Sequence, residues 1–424
     1  MLHKNRSKNH LKVHYLEIRN SVKRYFTIAP LLLIIVSFLV LGIPLSASSL
    51  EPPQKTSAVQ EKGLVNEEIL KGIHLLYDEQ FNEAENIFQK VICESPDRPI
   101  GHFYLAMVTW SRLTSGFWSP EIVREYVRRI DRTIEVGQTR IERNSANSYD
   151  FFYLGGALGF KARFRLMKGK WLSSFFTATD AIEALKNSLR MDPANRDVLL
   201  GLGTFDYYTA RLSGVLKFLS YLFFDRSSEE EGIRKLRVAA SEALYSTTEA
   251  KSMLIHIYLF LEEDFLKVLP LTQDLARRYL RNPRYKLLEG VSYIRLGMDA
   301  HYRECVRYLS LKSRLETSSK NSSGWSKRTL YLESIYDLYH GRYSDGRSRL
   351  RAILNDQDPA DDPSMIAWPI IKIGMSYDLE GNREEAEKHY RLVLEMENGS
   401  GAQFLAKKSL EGNPPKKDDP FIGY

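Results

Sequence analysis

The segment from Ile370 to Met396, IIKIGMSYDLEGNREEAEKHYRLVLEM, constrains the fold of this chain most strongly. Its first half carries apolar and small residues at three- and four-residue spacing, which is one face of an α-helix: Ile370, Ile373, Gly374 and Tyr377. Gly381 and Asn382 break this pattern. A second helical pattern follows through Ala386, Tyr390, Val393 and Leu394. The segment therefore predicts two short helices joined by a tight turn.

The same spacing recurs along the chain. Near the start it falls on Gly72, Ala84, Phe88 and Pro96, and a middle copy has Ala181, Leu185, Ser188 and Pro193 in its second helix. Leu202 and Gly203 lie in the helix after that, whose partner is predicted to begin near Glu229. A weaker copy has Gly341, Tyr343, Gly346, Leu350 and Ile353, and further pairs are predicted over 247–282 and 284–316, divided by Pro283.

Helix pairs of this kind bury their apolar faces by stacking on one another. The pattern therefore predicts an all-α fold, an α-solenoid of helix pairs over residues 66–411 with an extended concave surface. Gly/Ser-rich breaks are predicted at 321–324 and 398–401. The segment GAQFLAKKSLEG is expected to form a capping helix, and residues 412–424 a disordered tail.

The pattern resembles the tetratricopeptide repeat. In that family small residues lie where two helices cross, aromatic residues fill the gaps beside them, and a proline often ends the unit. Gly374, Tyr377, Gly381 and Ala386 occupy the matching positions. The resemblance implies that the first helix of each pair lines a concave surface that binds protein partners.

The middle of the chain also resembles bacterial relatives of the tetratricopeptide-repeat-39 and inclusion-body-clearance proteins. The residues that carry this likeness are Gly155, Gly156, Lys170, Trp171, Asp192, Pro193, Gly201, Gly203, Tyr207, Tyr208 and Gly232. It implies a helical-repeat protein without an assigned catalytic activity.

The N-terminal region carries a targeting pattern. Residues 1–25 contain seven Lys and Arg against Glu17 alone, and residues 26–45 are a charge-free apolar stretch. Such a stretch is long enough to span a membrane or to act as the core of a signal peptide, and a basic flank on its N-terminal side predicts export of the rest of the chain. Both readings stay open, with residues 46–65 as a linker. The solenoid is expected on the periplasmic side, anchored in the inner membrane or released.

Charge argues against nucleic acid as a partner. Nearly all of the net charge of +7 comes from residues 1–25, so the remaining chain is close to neutral and has no general field for phosphates. The two cysteines, Cys93 and Cys305, are predicted to be buried, unpaired thiols because an array holds such distant positions apart.

Catalytic, cofactor and metal signatures are not found in the sequence. It lacks H-E-x-x-H, a Walker lysine motif and G-x-S-x-G. The glycines of 155–159 and 201–203 fall inside helical patterns, so we expect them to allow close helix packing rather than to cradle phosphate. The acidic runs 229–231 and 262–264 are expected to be solvated helix starts, and His256 and His301 to be packing residues. We expect no enzyme activity, no cofactor and no metal.

Two sets of residues are candidates for binding. The concave face of the middle unit is predicted to carry a partner-binding site at Asp197, Thr204, Tyr207 and Tyr208. A basic–aromatic cluster over 160–171 is a candidate anion site, with Lys161, Arg163, Arg165, Lys168 and Lys170 as its cations.

The sequence therefore favours an exported or membrane-anchored scaffold that binds a protein partner in its concave groove. The alternative is an envelope protein that handles lipid or glycan through the cluster 160–171 and the apolar segment 212–224. That apolar segment is too short to span a bilayer and is interrupted by polar residues. It is expected to be an insertion that packs on the solenoid or contacts a membrane.

Overall fold

A computed structural model describes residues 58–115, 119–168, 170–211, 228–317, 319–355, 363–396, 399, 401–412 and 415. The chain divides into two compact units, Met1–Ala58 and Val59–Tyr424. The predicted N-terminal apolar segment 26–45 and the predicted insertion 212–224 both lie outside the described residues. Within the described residues, no helix has the length and apolar character that crossing a membrane would require.

The described parts of the second unit are helical throughout and contain no strand. In chain order the helices are α1 (Ala58–Tyr77), α2 (Phe81–Glu94), α3 (Pro99–Thr114), α4 (Pro120–Glu142), α5 (Ser148–Met167), α6 (Trp171–Met191), α7 (Val198–Ala210), α8 (Glu229–Glu242), α9 (Thr247–Phe260), α10 (Phe265–Arg278), α11 (Pro283–Arg295), α12 (Asp299–Leu315), α13 (Ser319–Tyr339), α14 (Tyr343–Asn355), α15 (Ser364–Leu379), α16 (Arg383–Glu395) and α17 (Ala402–Leu410). They form eight consecutive pairs followed by one capping helix, so the predicted all-α repeat is confirmed.

Glycines mark the points where paired helices cross most closely. A Cβ on Gly72 would lie 2.6 Å from the ring of Phe88, and one on Gly203 would lie 2.8 Å from the carbonyl oxygen of Gly232. Gly381 ends α15 with a φ of +82°, a conformation that favours glycine. The small residues that the repeat pattern singled out therefore work as predicted, and Gly203 is a packing residue.

The odd-numbered helices form an inner layer and the even-numbered helices lie outside it. Contacts between successive first helices, α3 with α5, α5 with α7, α7 with α9, α11 with α13 and α13 with α15, run along this layer. Two hydrophobic cores lie between the layers, one centred on α1–α6 and one that extends from α7 to α17. The inner layer is therefore where a partner-binding surface was predicted.

The array curls until its first pair meets its fifth and sixth pairs. The hydroxyl of Tyr77 donates a 3.0 Å hydrogen bond to Glu249 on α9. Asp78 accepts a 2.9 Å hydrogen bond from the backbone N–H of Arg281, and the side-chain amide of Asn282 donates to the carbonyl oxygen of Tyr77 at 3.0 Å. The extended open concave surface expected from the sequence is thus interrupted where these helix ends meet.

Two local predictions are wrong. The Gly/Ser-rich stretch 321–324 is not a break, because α13 runs through it. Gly324 faces open space apart from one guanidinium nitrogen of Arg328, and the buried Trp325 next to it fixes the helix on the core. Cys93 is exposed rather than buried, since it lies on α2 beyond the last core residue, Val91; Cys305 is buried, and both are unpaired.

Candidate partner-binding surface

Asp197, predicted to bind a partner, is instead held by the protein's own backbone. Its carboxylate accepts hydrogen bonds from the N–H groups of Leu244, Tyr245 and Ser246, at 3.3, 2.8 and 2.7 Å. Its side chain is buried. Because these three residues form the turn between α8 and α9, Asp197 ties the start of α7 to the next pair.

The side chain of Tyr207 and the hydroxyl of Thr204 are also buried in the protein. The Tyr207 hydroxyl donates to Glu262, and Arg211 donates to that hydroxyl at 3.2 Å. Burial first, and Glu262 second, raise the pKa of Tyr207 above its usual value. The Thr204 hydroxyl is buried and has no hydrogen-bond partner among the described residues. Tyr207 braces α7 against α8 and the turn that follows α9.

Tyr208 differs from its neighbour because the next position on a helix points about 100° away. Its side chain is 37% exposed, and its ring meets that of Tyr207 edge-on at 5.5 Å. Burial raises the pKa of its hydroxyl, while Arg163 and Arg211 oppose the shift. Of the four predicted residues, Tyr208 is therefore the one open to a partner.

Three exposed residues on other inner helices are linked to Tyr208 or to one another by electrostatic interaction. Arg163 on α5 acts electrostatically on both Tyr208 and His256 on α9, and Arg284 on α11 also acts on His256. All four side chains are exposed. We call Arg163, Tyr208, His256 and Arg284 the inner patch; it draws on four successive first helices.

Desolvation and two arginines keep His256 neutral in this patch. The pKa of His256 is lowered to about 3, first by desolvation and then by Arg163 and Arg284. Its ring is reached by solvent, yet it lies in the curve of the array with protein around it. The inner patch is therefore cationic through its two guanidinium groups, and His256 contributes a neutral ring next to Phe260, 4.9 Å away between ring centres.

Farther along, side chains of the protein fill the inner layer. Phe260 of α9 reaches Trp368 of α15, with 6.1 Å between ring centres. Lys372 lies beside Trp368 and is buried, and burial together with Arg295 lowers the pKa of its ammonium well below the usual value. A partner on the inner surface is therefore limited to the region of the inner patch.

The five cations of the predicted anion site do not converge. The Lys161 ammonium lies 2.7 Å from Asp131 on α4, and the Arg163 guanidinium lies over Trp110 on α3. Arg165 donates to Thr177 on α6. Lys168 and Lys170 lie in the turn between α5 and α6, so the cluster divides between the inner patch and that turn. Anion binding by the five residues together stays a prediction.

Two surface depressions occur in the described part of the chain, and the first lies beside Tyr207 because Glu262 lines it. One, of about 480 Å³, is lined by the ends of α7 and α9 and the start of α8, with Glu229, Glu230 and Glu262. The other, of about 360 Å³, lies between α12 and the α13–α14 pair, where Arg342 and Arg349 pair with Asp337 at 2.7 and 2.9 Å. Both are open and strongly polar. No group of three or more metal-ligating side chains occurs in the part of the chain that is described.

The sequence patterns did not single out Arg284, and they predicted His256 to be a packing residue. Both lie on predicted first helices, so the repeat frame could place them in the inner layer. Only the tertiary structure shows that Arg163 and Arg284 both act on His256.

Comparison with known proteins gives one distant structural similarity. No family model matches the chain, and no curated protein matches its sequence. Among solved structures, the chain is similar to the crystal structure of the P58(IPK) TPR domain, with 12% identity over 82% of this chain and 98% of that chain, and a TM-score of 0.21. A TM-score this low carries no argument about arrangement. The helix pairs are tetratricopeptide-like in their helix bounds and in the close helix contacts at their glycines.

Proposed function

We propose that the chain is a non-enzymatic scaffold that binds an acidic segment of a protein partner at the inner patch. The observation that carries the proposal is that Tyr208 and His256 are exposed on the layer where the repeat resemblance expects partners, and that two exposed arginines act electrostatically there, Arg163 on both residues and Arg284 on His256. Guanidinium groups bind carboxylates with two parallel hydrogen bonds, and tyrosine adds a large contact area with one polar tip. This combination suits a short acidic stretch that also carries an apolar or aromatic residue.

The inner patch is small, and this supports a peptide-like ligand over a folded domain. Tyr77, Glu249 and the residues around Tyr279 close one side of the inner layer, while Trp368 fills another. An extended segment can enter such a space, whereas a domain with a standard interface of about 800 Å² per partner needs a broader surface.

The N-terminal sequence supports a place for this scaffold outside the cytoplasm. The basic residues 1–25 followed by the apolar residues 26–45 are typical of an anchor or signal segment. Cys93 is exposed in the folded unit and gives a direct test. A membrane-impermeant maleimide added to cells with a permeabilised outer envelope should label Cys93 without lysis; labelling only after lysis would place the array in the cytoplasm.

The binding proposal is tested by photocrosslinking in cells. A benzophenone amino acid at position 208 is nearly the same shape as tyrosine and should form a discrete adduct with one partner. The control is the same amino acid at position 311, because Leu311 is 55% exposed on α12, a second helix of the array. Adducts of equal pattern and yield at both positions would contradict the proposal.

Charge reversal makes the same test specific. The double variant Arg163→Glu/Arg284→Glu should abolish the adduct at 208 by repelling an acidic segment. The matched control is Arg124→Glu/Arg132→Glu, which reverses two exposed arginines on α4 that form only local pairs. Full retention of the adduct in the first variant, or equal loss in both, would refute an acidic ligand at the inner patch.

A further inference from the structure

The turn between α5 and α6 presents an unusual group of exposed apolar side chains. Trp171 is 49% exposed, whereas the other described tryptophans, Trp110, Trp325 and Trp368, are at most 7% exposed. Four more large apolar side chains are exposed in the same two helix ends: Leu166, Met167, Leu172 and Phe176. We call these five residues with Lys168 and Lys170 the hairpin tip.

The hairpin tip is one continuous surface. Helices α5 and α6 run antiparallel, as shown by the Ser174 hydroxyl, which donates a 2.7 Å hydrogen bond to the carbonyl oxygen of Ala162. The last turn of α5 therefore lies beside the first turn of α6. Leu172 and Phe176, four residues apart, share one face of α6. An apolar patch of this kind on an otherwise polar surface marks an interaction site.

The charge around the patch indicates what covers it. Residues 160–179 contain five Lys and Arg and no Asp or Glu. Lys161 is paired with Asp131 away from the tip, and Lys168 and Lys170 lie directly in the turn. Exposed leucine and aromatic side chains flanked by lysines are the composition of segments that lie in the interface of an anionic bilayer. Tryptophan is enriched at that depth.

We propose that the hairpin tip is a docking surface for a membrane that contains anionic lipid. The apolar side chains enter the headgroup region, where Lys168 and Lys170 add positive charge beside the lipid phosphates. The proposal does not depend on the proposed function.

The test uses the full chain with a probe at the tip, because the N-terminal segment alone could bring the protein to vesicles. In a Cys93→Ser background, Ser173→Cys places an environment-sensitive dye next to Trp171, and Ser241→Cys places the same dye on α8 as a control; both serines are exposed. The protein is reconstituted with vesicles of phosphatidylcholine, with or without phosphatidylserine.

The dye at position 173 should shift to the blue and be quenched by brominated lipid in vesicles with phosphatidylserine, and the dye at 241 should not. Trp171→Ala/Leu172→Ala/Phe176→Ala should reduce the quenching about tenfold. Lys168→Glu/Lys170→Glu should also reduce the quenching of the dye at 173 at low salt, because the negative side chains repel anionic lipid. The control Leu311→Ala/Leu315→Ala removes two equally exposed leucines from α12 and should change nothing.

Three outcomes would overturn the proposal. The first is the same response of the dyes at 173 and 241, and the second is full quenching in the triple alanine variant. The third is a blue shift of the dye at 173 that appears without vesicles and increases with protein concentration, which would make the tip an interface between two copies. Circular dichroism of each variant confirms that the helices are intact, since the apolar side chains that are changed are exposed.

Discussion

The Tyr77 hydroxyl lies 3.0 Å from a carboxylate oxygen of Glu249, across 172 positions of sequence. This bond joins the first helix of the array to the ninth. Next to it, the ring of Tyr77 packs on Tyr279 at 5.8 Å, and Asp78 accepts from the backbone of Arg281. The first pair thereby closes on the fifth and sixth pairs and limits the inner surface available to a partner.

We expect Tyr77→Phe and Glu249→Ala each to lower stability by about 1–3 kcal/mol, because a hydrogen bond to a charged group is lost at a partly buried site. The double variant should lower stability little more than either single variant, since both substitutions remove the same hydrogen bond. Thermal unfolding of the four proteins measures the coupling. Tyr377→Phe is the control, as its hydroxyl accepts from the exposed Arg351. Additive losses in the double variant would show that the bond does not hold the array closed.

Asp197 should prove to be a structural residue. Asp197→Ala leaves the N–H groups of Leu244, Tyr245 and Ser246 without their acceptor, so we expect a loss of about 3 kcal/mol. Asp192→Ala is the matched control, because the half-buried Asp192 carboxylate accepts one local hydrogen bond, from the backbone of Ala194; this variant should lower stability by less than about 1 kcal/mol. Chemical denaturation compares the two. Equal effects would contradict the role assigned to Asp197.

Gly203→Ala should destabilise the contact between α7 and α8. The new Cβ would lie 2.8 Å from the carbonyl oxygen of Gly232 and 3.0 Å from the backbone nitrogen of Leu236, so the helices must move apart at a cost of about 3 kcal/mol. Gly159→Ala is the control, because nothing lies within 4 Å of its Cβ. Alanine favours a helix over glycine by about 1 kcal/mol, so this variant should gain stability. The thermal midpoint should fall in Gly203→Ala and rise in Gly159→Ala. An unchanged midpoint in Gly203→Ala would refute close packing at that position.

Lys372→Met should stabilise the protein at neutral pH by about 2 kcal/mol, because methionine fills the same space without a buried ammonium. The folded-state pKa of Lys372 is lowered by burial, so in the window below 10.5 the unfolded chain binds the proton more tightly. Stability of the natural protein should therefore rise as pH increases through that window, and the variant should lose this slope.

Unfolding at pH 7 and pH 9 measures both effects. Lys251→Met is the comparison, because it removes an ammonium 2.6 Å from Asp274 and should destabilise. A destabilised Lys372→Met variant, or one that keeps the full pH slope, would contradict the assigned cost of burial.

Much of the fold could be read from residue spacing. The three- and four-residue period predicts most of the helices, although it did not single out α3 and α4. The small residues Gly72, Gly203 and Gly374 predict where paired helices cross, because only a missing side chain lets two backbones approach so closely. These signals are local, and helices of repeat arrays contact mainly their neighbours. Local sequence was therefore enough to place pairs, turns and the capping helix.

The candidate site could not be read in the same way. Tyr207 and Tyr208 are adjacent and alike in sequence, yet one is buried against Glu262 and the other faces the inner surface. Arg163 and Arg284 both act on His256 only because the packing of successive helix pairs brings residues of different pairs within electrostatic range. The sequence alone determined the helix pairs, since their apolar faces repeat along the chain. Tertiary structure alone decided which side chains of those pairs stay exposed, because that depends on contacts between residues far apart in the chain.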